Sequence, residues 1–370
     1  MTSHQAAGAP EGVGGRGAPV IAELSTLDRY LPVWIGLAMA GGLLLGRLIP
    51  DLNDDLERIK IDTVSLPIAI GLLAMMYPVL AKVRYAHIGD ELGDRRTLWV
   101  SLALNWLIGP LLMFTLAWVF LGDLPELRTG LIIVGLARCI AMVLIWNDLA
   151  HGSRELAAVL VAVNSLFQIV MYSVLGWFYL SVLPGWLGLD TADLNVSIWE
   201  IARSVLIFLG IPLLAGFLTR TIGEARKGTE WYEGTFLPRI GPVALYGLLF
   251  TIVVLFALQG EQITGNPLDV VRVAVPLLVY FALMWGGSFA LGLRLRFPYE
   301  RNASVAFTAA GNNFELAIAV SIAVFGVTSG QALAGTIGPL IEVPALVGLV
   351  YVSLWARRRF YRAGPASGRA

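Results

Sequence analysis

Ten apolar runs, each about 20 residues long, leave little of this chain for a water-soluble domain. A helix needs roughly 20 apolar residues to cross a bilayer, because every backbone amide there must bond within its own segment. The runs lie at 30–49, 64–83, 98–121, 130–149, 155–183, 199–219, 239–258, 271–293, 303–325 and 331–356. They predict an all-α polytopic membrane protein with ten transmembrane helices in the lipid bilayer.

The composition excludes several other classes of protein. Charged residues make up 14% of the chain, against roughly 25% in a soluble domain. A net charge of +0 argues against a nucleic-acid-binding surface, and one cysteine rules out an internal disulfide. Three histidines without clustered cysteines predict no zinc or iron site. We therefore expect no cofactor, and no obligate protein partner is indicated.

Basic residues fall unevenly between alternate loops, and this bias sets the orientation of a membrane protein. The loops after runs two, six and eight and the 357–370 tail are rich in Lys and Arg, whereas the 184–198 connection has none. We therefore expect a cell inner-membrane protein with both termini cytoplasmic and 184–198 periplasmic. Residues 1–29 lack the apolar core of a signal peptide and are predicted to be a disordered cytoplasmic tail.

The two halves of the chain, 30–183 and 199–356, are predicted to be inverted repeats. Each half has five runs, and because five is odd the second half enters the membrane from the opposite face. The halves share glycines and prolines at matching places: Gly42 and Gly46 with Gly216, Pro67 with Pro242, and Gly71 with Gly247. Counted from Arg128 and from Arg301, Arg138 aligns with Gly311 and Cys139 with Asn312. Transporters of this design bind their substrates where the repeats meet.

Runs four and nine have polar centres, GLARCIAMV and TAAGNNFELA. We expect both helices to be interrupted there and to cross, because broken helices present amide and carbonyl groups at mid-membrane. The glycines and alanines have a second interpretation, since small residues also let membrane helices pack closely. Both interpretations stay open at this point.

Three charged residues lie near the centres of these apolar runs. Such residues are functional candidates, because an unpaired charge in the membrane is unfavourable by several kcal/mol. Arg138 is a candidate substrate ligand, or half of a structural ion pair, and in either role it is expected to need a carboxylate. Glu315 is our preferred proton-coupling residue and Glu342 a supporting acid, because burial disfavours the charged form of a carboxylate.

Cys139 is the single thiol of the chain. A lone cysteine is most often a small buried hydrophobe, but this one lies beside Arg138 in a polar centre. A thiolate is a soft ligand, suited to arsenic or antimony as a substrate. The neighbouring candidates for substrate binding are Asn312, Asn313 and Trp146, although Trp146 could be only an interfacial anchor. For Asn164 and Gln168, hydrogen bonding between helices is the preferred role.

Four stretches resemble the arsenite efflux permeases of the yeast-type arsenical resistance family: MMYPVLAKVRY at 75–85, GLARCIAMVLIWNDLA at 135–150, GNNFELAIAVSIAVFG at 311–326 and GPLIEVPALVGLVYV at 338–352. The resemblance implies a fold like that of the bile-acid sodium symporters, with broken, crossing helices four and nine. It also implies that arsenite, as As(OH)3, or antimonite, as Sb(OH)3, leaves the cytoplasm in exchange for protons. The family's essential cysteine and glutamate carry over onto Cys139 and Glu315.

Two other functions are consistent with the residues. In a sodium-coupled carrier of a small organic anion, Arg138 would bind the anion, and Asn313 and Glu315 a sodium ion. In a membrane prenyltransferase, Asp51, Asp54 and Asp55 would bind magnesium diphosphate. The sequence argues against this enzyme because it lacks a second aspartate-rich motif.

Overall fold

The computed structural model describes residues 30–49, 60–61, 64–83, 95–189, 197–265 and 267–361. The predicted tail 1–29, the 362–370 part of the predicted tail 357–370, and the acidic residues Asp51, Asp54 and Asp55 lie outside them. The helices are α1 Leu31–Leu48, α2 Leu66–Ala81, α3 Arg95–Phe120, α4 Pro125–Leu136, α5 Met142–Leu149, α6 Arg154–Trp186, α7 Ile198–Lys227, α8 Thr229–Leu258, α9 Gly260–Gly265, α10 Pro267–Arg294, α11 Tyr299–Ala310, α12 Phe314–Phe325 and α13 Gly330–Phe360. Residues 357–360 of the predicted tail are the last turn of helix α13.

The all-helical prediction is confirmed for the described residues, apart from one short hairpin. Strands β1 (Lys60–Ile61) and β2 (Val64–Ser65) pair antiparallel before α2 begins. Of the described helices, six are long and apolar enough to cross a membrane: α3, α6, α7, α8, α10 and α13. The fourth and ninth apolar runs each form two short helices instead of one long helix: α4 and α5 in the fourth run, and α11 and α12 in the ninth.

Four of the long helices contain one π-helical turn, and a proline explains each of them. The turns are Leu104–Ile108, Phe178–Val182, Leu206–Gly210 and Tyr232–Phe236. Pro110, Pro184, Pro212 and Pro238 follow them by two residues. Proline has no N–H for the carbonyl four residues earlier, which lies inside the turn in every case, so the helix widens there.

The predicted loop at 220–239 is wrong, since these residues are helical. Helix α7 runs directly into α8 through Gly228, whose φ of +84° is a conformation that glycine adopts readily. Arg220, near the end of α7, forms an ion pair with Glu233 at 2.7 Å and donates to the main-chain carbonyl of Lys82 at 3.1 Å. The helical hairpin therefore holds the end of α2 through partly buried polar contacts.

The helices form two groups. Helices α1, α2, α7 and α8 pack mainly on one another, and α3 to α6 and α10 to α13 form the second group. The first two turns of α7, Ile198–Val205, also pack on α6 and α12 of the second group. Some glycines that match between the two halves of the sequence lie at close contacts in the first group. A Cβ on Gly46 would lie 2.2 Å from the carbonyl oxygen of Ala257, and one on Gly247 would lie 2.9 Å from that of Gly71. At these positions the close-packing role of small residues applies.

Candidate functional site

The breaks in the fourth and ninth runs meet inside the second group of helices. Arg138 and Asn312 pair as an isolated antiparallel bridge between the two breaks. The backbone N–H of Cys139 donates to Gly311 at 3.2 Å, and that of Asn313 donates to Ala137 at 3.1 Å. Each broken segment thus satisfies backbone groups that the other lost when its helix stopped. We call this arrangement, residues 137–141 with 311–313, the crossing.

Two asparagines cap the helix ends at the crossing. The side-chain amide of Asn312 donates to Val134 at 2.8 Å and to Ala137 at 3.3 Å, so it caps the carbonyl end of α4. The side-chain oxygen of Asn313 accepts from the backbone N–H of Leu316 at 3.0 Å and caps the amide end of α12. Asn312 and Asn313 are predicted substrate ligands. Capping already uses the amide nitrogen of Asn312 and the side-chain oxygen of Asn313, so Asn312 Oδ1 and Asn313 Nδ2 are the atoms left for a substrate.

Arg138 is fully buried, but the prediction that it pairs with a carboxylate is wrong. Its guanidinium donates to the hydroxyl of Tyr280 at 2.9 Å and to the main-chain carbonyl of Gly135. Over the described ranges, no carboxylate lies within the 4.0 Å of an ion pair with Arg138. The sequence shows that Glu315 and Glu342 are at similar depth, but not which way each side chain points around its helix.

Cys139 is 3% exposed and lies on the opposite strand of the crossing from Gly311. The backbone amides of Ala141 and Val143, at the start of α5, face its sulfur, and Glu315 and Glu342 are within electrostatic range. The helix start thus directs positive partial charge at the thiol. The predicted thiol and carboxylic acids therefore share one region of the structure.

The two glutamates occupy different environments. Glu342 on α13 is buried, and its carboxylate accepts from the backbone N–H of Asn312 at 3.3 Å. Glu315, in the first turn of α12, is partly exposed and lines a cavity. Glu315, our preferred proton carrier, can therefore be reached by a solute. Glu342 instead contacts the crossing through its hydrogen bond from Asn312.

That cavity has a volume of about 240 Å³ and lies between the two groups of helices. Its walls are mostly apolar, and Lys82 and Glu315 are its charged residues within the described part of the chain. The other lining residues come from the crossing and from helices α2, α5, α6 and α8. They are Met75, Val79, Val83, Ile140, Ala141, Met142, Leu144, Ile145, Ala158, Val161, Gly241, Ala244, Leu245 and Leu248. Cys139 is buried, does not line the cavity, and directly precedes the lining residue Ile140 in the chain.

The remaining predicted residues are buried near the crossing or on helices that pack against it. Trp146 is 2% exposed, which contradicts its interpretation as an interfacial anchor, and its indole nitrogen has no partner in the described structure. Asn164 accepts from the indole of Trp106 at 3.1 Å, so the expected bond between helices is confirmed. Gln168 accepts from the backbone N–H of Arg138 at 2.9 Å, which links α6 to the crossing.

Sequence reasoning missed Tyr280, Tyr172 and Gly109. Tyr280 holds the Arg138 guanidinium, and Tyr172 donates to the carbonyl of Ile133 at 3.1 Å. A Cβ on Gly109 would lie 2.7 Å from an Arg138 nitrogen, so this glycine leaves the space that the guanidinium fills. All three lie in apolar runs, and the sequence has no charged residue beside them that would mark them.

Several buried polar atoms at and around the crossing have no hydrogen-bond partner. Within the described residues they are Arg138 Nε, Trp146 Nε1, Gln168 Nε2, Asn312 Oδ1 and Asn313 Nδ2. Most buried polar groups are hydrogen-bonded, so these atoms are available to bind water or a polar solute. No described set of three or more His, Cys, Asp or Glu side chains could hold a metal ion.

The chain has clear relatives. Residues 69–266 match the sodium bile acid symporter family. The chain is 60% identical over 344 residues to the arsenical-resistance protein Acr3 of Corynebacterium glutamicum, with 93% of each chain covered. It is 32% identical to the Acr3 protein of Alkaliphilus metalliredigens, covering 90% of this chain and 94% of that protein. An uncharacterized transporter of Synechocystis, slr0944, is 37% identical over 89% of this chain and 88% of its own. The chain is therefore a multi-pass membrane protein of the sodium bile acid symporter family, with arsenical-resistance proteins of the Acr3 type among its relatives.

Proposed function

We propose that this protein exports arsenite, as As(OH)3, across the cytoplasmic membrane in exchange for protons, and that it accepts antimonite as well. The observation that carries the proposal is the position of Glu315, a carboxylic acid facing an apolar cavity beside the single thiol of the chain. The names of the Acr3 relatives, arsenical-resistance proteins, support the choice of arsenic.

The cavity suits a small neutral solute. A wall that is mostly apolar offers little to an anion, because an unpaired charge there would be desolvated without compensation. As(OH)3 is neutral near physiological pH, and its hydroxyl groups can donate to a carboxylate. The soft thiol belongs to Cys139, the buried residue that precedes the lining residue Ile140 in the chain. A modest shift of the crossing would bring the arsenic and the sulfur together.

In the proposed topology both termini are cytoplasmic, ten membrane segments form two inverted repeats, and the chain lies in the inner membrane. The cavity is lined at one end by Lys82 and Gly241, which lie near basic stretches predicted to be cytoplasmic. The conformation described is then the inward-open one. Alternating access follows if the four-helix group of α1, α2, α7 and α8 moves against the crossing.

Proton coupling rests on Glu315. In the proposed cycle, arsenite enters from the cytoplasm as Glu315 loses its proton, and a proton from the periplasm displaces arsenite on the other side. One charge moved through 100 mV is worth about 2.3 kcal/mol, so one proton can drive appreciable accumulation. Trp146 Nε1 and Asn313 Nδ2, which lack partners among the described residues, are the proposed hydrogen-bond donors to the arsenite hydroxyls.

The rival carrier of an organic anion needs a cation at the site. Arg138 would be that cation, but its guanidinium already donates to Tyr280 and to the carbonyl of Gly135. No described basic residue other than Lys82 lines the cavity. The contacts of Arg138 therefore argue against this alternative.

The test is arsenite uptake into everted membrane vesicles by the wild type, Cys139→Ser and Glu315→Gln. We expect both substitutions to abolish uptake, and collapse of the proton gradient to stop uptake by the wild type. Glu155→Gln is the matched control, because Glu155 is an exposed glutamate away from the cavity, and it should transport normally. Uphill uptake that survives collapse of the proton gradient but requires sodium would replace proton coupling with sodium coupling.

A further inference from the structure

The carbonyl end of α4, where the helix stops at the crossing, is closed by donors from three directions. Ile133 accepts from the hydroxyl of Tyr172, Val134 accepts from the amide of Asn312, and Gly135 accepts from the guanidinium of Arg138. A helix end of this kind carries about half a negative charge on its free carbonyls. One of the three donors is a full positive charge.

We propose that the Arg138 guanidinium is a resident cation for this helix end, in the position where a mobile sodium ion would otherwise bind. Carbonyl ends of broken helices coordinate sodium in transporters of inverted-repeat design. The inference deepens the proposed function, since a tethered cation at this place leaves the proton as the only coupling ion.

The contacts of the guanidinium are those of a cation bound by neutral oxygen atoms. Arg138 is fully buried, and its guanidinium donates to the carbonyl oxygen of Gly135 and to the hydroxyl oxygen of Tyr280, the latter at 2.9 Å. Hard cations such as sodium prefer oxygen ligands of this kind. No carboxylate of the described residues lies within 4.0 Å of the Arg138 guanidinium. The partial negative charge at the carbonyl end of α4 therefore compensates the positive charge of the guanidinium.

The surrounding packing is shaped for this group. A Cβ on Gly109 would lie 2.7 Å from Arg138 Nη1 and 3.1 Å from the Tyr280 hydroxyl, so α3 approaches closely only because residue 109 is glycine. In the other half of the chain, the position that matches Arg138 is occupied by Gly311. The carbonyl of Gly311 accepts from the backbone N–H of Cys139. The fixed cation therefore belongs to one half of the crossing.

The experiment measures thermal unfolding of the purified full-length protein in sodium chloride and in choline chloride at equal ionic strength. The unfolding temperature of the wild type should be the same in the two salts. The unfolding temperature of Arg138→Lys, which keeps a positive charge, should also not differ between them. Arg138→Ala should be destabilised in choline and should recover progressively as sodium is added, because the vacated oxygen atoms can then bind the ion. Arsenite is absent, so failure of the proposed transport function would not affect the result.

Tyr172→Phe is the matched control, since it removes a neutral donor from the same helix end. It should lower the unfolding temperature equally in both salts. A wild type stabilised by sodium, an alanine variant as stable as the wild type in choline, or a destabilised alanine variant with no response to sodium would each overturn the proposal. If Arg138→Ala does not fold, Arg138→Gln replaces it. If neither neutral variant folds, a folded Arg138→Lys supports the need for charge, and an unfolded one contradicts it.

Discussion

Gly311 and Cys139 touch across the crossing: a Cβ on Gly311 would lie 2.8 Å from Cβ of Cys139 and 3.5 Å from its sulfur. Such contact is closer than real Cβ atoms make, so any larger residue must push the two strands of the crossing apart. The space around the thiol is therefore set by the absence of a side chain at residue 311.

Gly311→Ala should strongly impair arsenite transport, by roughly tenfold or more for a displacement that is unfavourable by about 1.4 kcal/mol. The measurement is initial uptake into everted vesicles, normalised to protein in the membrane. Gly286→Ala is the control, because nothing lies within 4 Å of a Cβ there, and it should transport like the wild type. Equal activity of both variants would mean that the strands at 137–141 and 311–313 are not held this closely during transport.

Asn313→Ala should affect stability and transport together. It removes the cap of α12, a loss of about 1 kcal/mol, and also the unpaired amide proposed to bind arsenite. Ser329→Ala removes the equivalent cap of α13, which accepts from Ala332 at 3.2 Å, away from the cavity. We expect similar falls in unfolding temperature for both variants and a loss of transport only for Asn313→Ala. Normal transport by Asn313→Ala would exclude this amide from the site.

Glu342 allows its structural and its protonic roles to be separated. Glu342→Gln keeps an oxygen to accept from the N–H of Asn312, whereas Glu342→Leu leaves that buried group unsatisfied at about 1–3 kcal/mol. The unfolding temperature should therefore fall for Leu and change little for Gln. If Glu342 also supports proton transfer, Glu342→Gln will transport more slowly at every imposed pH gradient. Uptake by Glu342→Gln equal to the wild type would leave Glu315 as the only acid required.

Gln259 joins the two groups of helices at the end away from the cavity. It is fully buried at the end of α8, and its amide donates to the carbonyl of Val327, between α12 and α13. Gln259→Leu should loosen this closure and increase hydrogen–deuterium exchange in the Gly326–Leu333 region. Thr251→Ala removes a bond within α8 only and should leave that exchange unchanged. Identical exchange in Gln259→Leu and the wild type would show that the contact does not hold this end closed.

Several features of the site followed from local sequence. The interruptions at 137–141 and 311–313 coincide with the polar centres predicted to break helices four and nine, because small and polar residues there cannot sustain an apolar membrane helix. Glu315 was preferred over Glu342, and it is the one that lines the cavity. The predicted loop at 220–239 failed because basic residues mark an aqueous end of a helix but not where the helix stops.

The sequence by itself determined that the chain is helical and apolar, where two helices break, and which thiol and acids lie near the breaks. These are properties of a segment and its solvent. The tertiary structure alone decided that Arg138 pairs with Tyr280 and Gly135 instead of a glutamate, that Cys139 is buried without lining the cavity, and that Gly109 makes room for a guanidinium. The physical reason is direction: hydrophobicity fixes the depth of a residue in the membrane, whereas the packing of distant helices fixes which neighbour its side chain meets.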